Sequence, residues 1–374
     1  MSGHKMKKKL GLTHAVLASS FFVAPSIFAA TTINSNTTAP LIASTAGNIE
    51  ITPTGSISIN VANDAITVDA TATVQLDPSN VSGIAPDAIL TTAPGQNAIN
   101  ITTGTSAIIT VGSGTRITAA LDGILVAADS AVITNSGTIR AGSSAIEIAT
   151  GGTNATISNQ TGAILQNNGA ATQSTVLINE AGSTLNNSGT VTSSANDAIE
   201  IKQPATVVNN TGGVISAVGA FDALNVSATS NITNSGTISS TLGSGINIIA
   251  GGANTIIVNQ TGGVISGNDP QGTIITSAAG MSLTNSGTII STGSKGDAVY
   301  VAADFTTITN QTGGVIDGGA AGLNGIGIIA AAAGDIQNTG TIQASNNNAD
   351  AIFVGAAYNG SITNNAGGII QYTS

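Results

Sequence analysis

The chain of 374 residues has no cysteine and no tryptophan, only 2% aromatic residues, and 7% charged residues against about 25% in an average soluble domain. Without thiols there are no disulfides and no cysteine metal sites. Its two histidines are His4 and His14, so nothing beyond residue 14 can supply an imidazole. Ser-His-Asp and Cys-His catalysis are excluded there, as are zinc sites of the usual His and Cys kind. Basic residues are also scarce. Beyond residue 30 only Arg116, Arg140, Lys202 and Lys295 face 18 carboxylates, a net charge of −14 that repels nucleic acid phosphates. Hydrophobic residues nevertheless make up 41% of the chain, which excludes the highly charged kind of disorder.

What is present begins with an address. Lys5, Lys7, Lys8 and Lys9 precede the mostly apolar Leu10 to Ala24, and Ala29 and Ala30 offer small residues for cleavage. This reads as a secretory signal peptide over residues 1–30, too short in its apolar part for the roughly 20 residues of a membrane span. The expected location is therefore exported, at the cell surface or outer membrane or in the medium.

Beyond it a turn phrase returns about every 25 residues in two alternating spellings. The short one, Asn-Ser-Gly-Thr-Ile/Val, starts at Asn135, Asn187, Asn234 and Asn285, with a threonine version at Asn338. The long one, Asn-Gln/Asn-Thr-Gly-Gly-Val-Ile, starts at Asn209, Asn259 and Asn310, with looser copies at Asn159 and Asn364. Spacing of this kind marks a solenoid whose repeats bury their apolar faces only against one another. Between phrases lies Asp-Ala-Ile/Val/Leu, as at Asp64, Asp197, Asp222, Asp297 and Asp350, followed two residues later by another apolar residue. Period two is the strand period, so Ile199 and Ile201 are expected inside, and Ala198 and Glu200 outside.

The pattern predicts an all-β fold, a right-handed parallel β-helix with three strands per coil. Over residues 144–166 the strands are expected at 145–148, 155–158 and 163–166. About eleven to thirteen coils fit, on the order of 55 Å at the strand spacing. Residues 31–60 read as an N-terminal cap with first strands, 61–374 as the solenoid, and 78–96, with Pro78, Pro86 and Pro94, as an irregular insertion. The phrase asparagines are structural corner residues whose side chains can stack in an amide ladder. The aspartates read as corner caps. After the last phrase only Gln371 to Ser374 remain, an open strand edge suited to end-to-end self-association.

With its export signal, lack of cysteine, acidic balance and Asn-Ser-Gly-Thr-Ile corners, the chain resembles the passenger region of bacterial autotransporters, the type V secretion adhesins, over residues 31–374. No Asn-Pro-Asn-Gly phrase of the two-partner filamentous haemagglutinin type is found. The resemblance implies a surface or secreted structural or adhesive rod, without cofactor or catalysis, meeting a protein or glycan of a host or neighbouring cell. It implies contact with the outer membrane only through a separate or missing translocator barrel.

Three other functions are weighed on residues. Glu147 and Glu200 are expected at one outward position two coils apart with Leu177 between them, a carboxylate pair for a polysaccharide-cleaving enzyme. Calcium toxin nonapeptides are absent, and threonine shows no fixed outward position in every coil, which argues against a flat ice-binding face. Tyr300, Phe305, Phe353 and Tyr358 form an expected outward aromatic patch, the candidate binding site. Metal and cofactor sites are expected to be none.

Overall fold

The computed structural model describes residues 30–373 apart from 78–87, 105, 168–172, 321–322, 331 and 346–347. The expected signal peptide, apart from Ala30, and most of the expected 78–96 insertion thus lie outside the described residues. The described chain is a right-handed parallel β-helix. Among the described residues each turn lays one strand in each of three sheets, and neighbouring strands pair in parallel between successive turns, giving sheets of 14, 14 and 13 strands. At about 4.8 Å per strand the stack is roughly 60 Å long. Among the described residues one short helix, Ala43–Ala46, follows the third strand of the first turn.

One coil shows how the sequence writes this. Thr156–Asn159 lies in the first sheet, Ile164–Asn167 in the second, and the coil before contributes Ile146–Ile148 to the third. The expected strands are therefore right within a residue or two. Inward side chains such as Ile157, Leu165, Ile146 and Ile148 are fully buried and stack on their equivalents above and below. Burying each isoleucine or leucine stabilises the stack by about 1.5–3 kcal/mol. The stack begins early: Thr31–Ile33 pairs with Ile49–Ile51, and that strand with Val74 to Leu76.

One orientation differs from expectation. Ala198 is fully buried rather than outward, as are Ala65, Ala145, Ala223 and Ala298 at equivalent sites. The third-sheet strand begins only at Ile199, so the alanine belongs to the corner, where strict alternation does not hold and the chain turns its methyl inside.

Candidate functional site

Asparagine closes each strand of the first sheet from Asn135 onward, at an inward position held by Ile33, Ile51, Leu76 and Val111 in the preceding rungs. An amide can replace an aliphatic group there only if both its ends are bonded. The stack does this. Nδ2 of each phrase asparagine donates to Oδ1 of the next, from Asn135 through Asn159, Asn187, Asn209, Asn234, Asn259, Asn285, Asn310 and Asn338 to Asn364, at 2.8–2.9 Å throughout. All but Asn364 are buried. The second N–H of Asn209 points to the Gly213 and Thr237 carbonyls, 3.2 and 3.1 Å away, and the buried members from Asn187 to Asn338 follow the same plan. The ten asparagines form one line of hydrogen bonds beside the core.

The two phrase spellings are two corner lengths. After Asn135 the chain turns in Ser136-Gly137 and the second-sheet strand begins at Thr138; after Asn159 it takes Gln160 to Ala163. In the long corner Gly162 has φ +81°, a left-handed geometry that favours glycine. In the short corner Gly137 is needed for another reason, because a Cβ there would run into the Thr115 carbonyl oxygen of the rung below.

At the corner before the third sheet, aspartates cap the amides of the following rung. Asp197 accepts from the Asp222 N–H at 2.8 Å and from Asn225 Nδ2 at 3.1 Å; Asp222 accepts from Ser244 N–H and Asn247 Nδ2, both at 2.8 Å. Asp297 takes the Asn324 backbone and side-chain amides at 2.8 and 2.9 Å. Burial raises the pKa of Asp122 and Asp222, and pushes the carboxyls of Asp197 and Asp297 up to about 6, against the pull of these hydrogen bonds. Among the described residues no three His, Cys, Asp or Glu side chains gather as a metal-holding group.

The aromatic patch divides into two. Tyr300 and Phe353 do share an outward column of the third sheet, with Gly327 between them, in line with Glu200 four rungs before Tyr300. Phe305 does not join them. It is only 4% exposed, because a bulge beside Met281 shifts the register by one residue and turns the ring inward. Tyr358 stacks on it with ring centroids 6.4 Å apart and planes within 6°, and its hydroxyl sits 2.6 Å from the Gly334 carbonyl. These two rings pack the stack, leaving Tyr300 and Phe353 as the outward pair.

Glu147 and Glu200 occupy the expected column, with Leu177 between them. Leu177 is nevertheless buried. Glu147 accepts from Asn179 Nδ2 at 3.1 Å, and burial, then Asp122, raises its pKa. Glu200 pairs with Lys202 at 3.3 Å. Of two surface recesses, about 320 and 190 Å³, neither is lined by a carboxylate.

One pattern escaped sequence reading. The first outward position of the second sheet runs Thr138, Ile164, Thr190, Val214, Thr237, Val264, Thr288, Val315, Thr341, Ile369. Threonine thus is absent from a fixed outward position in every coil, as expected, but returns at one in every second rung. The signal was present in the residue that follows each phrase, and it becomes a column only when rungs are aligned. Comparison with known protein families, curated proteins and solved structures gives no match to this chain.

Proposed function

We propose that the chain is an exported, non-enzymatic rod of a bacterial surface or its surroundings, structural or adhesive in the manner of an autotransporter passenger. The observation that supports this best is the asparagine line. Nine consecutive side-chain amide hydrogen bonds tie ten rungs together beside a continuous aliphatic core, which makes a stiff support rather than a hinged one. Such a support holds outward side chains at fixed spacing for a protein or glycan of a host or neighbouring cell. Its paired backbone resists proteases, since cleavage requires local opening of ladders.

Expression of the full chain in a Gram-negative host tests the reading. The expected result is a processed product outside the inner membrane, and adhesion of cells to a surface coated with residues 31–374. A product retained unprocessed in the cytoplasm removes the export half, and a coated surface that holds no cells removes the adhesive half.

A polysaccharide-cleaving enzyme is the second reading. It is favoured by one observation, that burial raises Glu147 two rungs from Glu200 in the same column, as an acid paired with a base would require.

A further inference from the structure

The alternation of corner lengths shapes the outside of the rod. The four-residue corners stand proud: Gln160, Thr161 and Gly162 are exposed, and around the positive-φ glycines Gly162, Gly212, Gly262 and Gly313 there is open space where a side chain would stand. Two-residue corners are recessed. Gly137, Gly189, Gly236, Gly287 and Gly340 are buried, each seated against carbonyl oxygens of the long corner in the rung below. Every short corner from Ser136 to Thr339 has a long corner on either side. The edge of the rod is thus a sawtooth whose period is two rungs, about 9.6 Å at the strand spacing.

The first gap of this sawtooth is the 320 Å³ recess, with Ser136 and Thr138 at its floor and Ser113, Thr115, Arg116 and Thr161 on its walls. Later gaps keep the hydroxyls without the arginine. Ser235 donates to Gln260, Ser286 donates to Gln311, and Asn210 Nδ2 donates to Ser188 at 3.0 Å, so these three recesses pair a floor hydroxyl with a rim amide. Beside each recess the threonine of the alternating column adds another hydroxyl, and beside each tooth its valine or isoleucine adds an aliphatic face. Although the chain beyond residue 30 is strongly acidic, no ionisable side chain lies in these corners from Ser136 to Gly340, nor in the column from Thr138 to Thr341.

From this geometry we infer that the sawtooth edge binds an extended, uncharged glycan chain lengthwise, one disaccharide per two rungs. Hydroxyls and side-chain amides that now bond one another can exchange those bonds for sugar hydroxyls at little net cost. Valine and isoleucine on the teeth meet the C–H faces of the sugar rings. In a β-1,4-linked chain successive sugars are flipped, so the same face returns every second sugar, a repeat close to two strand spacings. Arg116 is a cation at the first recess only, so an anionic polymer gains nothing along the rest of the strip, and a protein ligand has no reason to repeat at this period. The inference rests on the adhesive reading above and names the class of partner.

Calorimetry of residues 31–374 with a length series of linear, neutral, β-1,4-linked oligosaccharides tests it. Affinity is expected to step up with each added disaccharide and to be unchanged between low and high salt. Replacing Ser235-Gly236 by Gln-Thr-Gly-Gly levels one recess with a corner the fold already accepts, and Ser235→Trp fills the same recess without lengthening it. Both should weaken binding of the longest oligosaccharide at least tenfold, while Thr284→Trp on the outer face of the first sheet leaves it unchanged. No binding by the intact chain, steps at every single sugar, or affinity in the levelled and filled variants equal to that of the intact chain overturns the inference. If cells still adhere fully to those variants, the glycan row fails and the adhesive reading stands; if cells never adhere to the intact chain, the adhesive reading itself fails.

Discussion

Asn209 donates its side-chain amide to Asn234 at 2.8 Å while its own carbonyl oxygen accepts from Asn187, also at 2.8 Å, so a single buried side chain joins three rungs. Removing it leaves one N–H of Asn187 unpaired below and takes one of two donors from the Asn234 oxygen above, which keeps the Gly236 N–H at 3.2 Å. Asn209→Ala is expected to lower stability by about 2–4 kcal/mol, since each unpaired buried polar group costs roughly 1–3 kcal/mol. Asn364→Ala, at the exposed end of the line, should cost well under half as much. Chemical denaturation of the two variants checks this, and equal losses would show that the line does not act through burial.

The two glycine types should fail differently. Gly236→Ala drives a Cβ into the Gly213 carbonyl of the rung below and is expected to cost about 3 kcal/mol or more, as overpacking and backbone displacement do. Gly262→Ala has open space and suffers only from its φ of +84°, about 1–2 kcal/mol. Thermal melts should rank the variants in that order.

Acid should stabilise the rod. With the Asp197 and Asp297 carboxyls raised to about 6, the folded chain binds protons that the unfolded chain releases above its ordinary carboxyl pKa of about 3.9. Their contribution is full below that value and is lost as pH rises through about 6. The melting temperature is expected to be higher at pH 4.5 than at pH 7.5, and Asp197→Asn should shrink the difference. Asp129 and Asp335, lowered by hydrogen bonds from Thr153 and Ser361, act in the opposite direction only in more acidic solution. A melting temperature that climbs from pH 4.5 to 7.5 would contradict the burial of these groups.

Glu147 and Glu200 separate rod from enzyme. Residues 31–374 are expected to release no reducing ends or unsaturated products from a polysaccharide panel. Turnover abolished by Glu147→Gln or Glu200→Gln, with the melting temperature unchanged, would replace the adhesive reading.

Phe305→Ala is expected to destabilise by about 3–5 kcal/mol, as for a buried aromatic ring. Phe353→Ala, whose ring is 39% exposed, should stay within about 1 kcal/mol of the parent. Denaturation midpoints of the pair measure the difference between a packing ring and a surface ring.

Much of the fold was legible because it is written locally. Corner phrases impose their turns through glycine and asparagine, and alternation by twos assigns each strand residue to a face, which placed Glu147, Leu177 and Glu200 in one column and the asparagines in one line. Alternation alone was insufficient at Ala198, in a corner, and at Phe305, where one extra residue at a bulge reversed the facing.

By itself the sequence determined the rung length, the strand faces and the two kinds of corner, all properties of a few adjacent residues. The tertiary structure decided what no single rung contains: the bonded asparagine line, the raised carboxyls of Asp197 and Asp297, the stacked Phe305 and Tyr358, and the sawtooth edge. These arise between residues some 22 to 28 positions apart along the asparagine line, and only the register of the ladders between rungs brings them together.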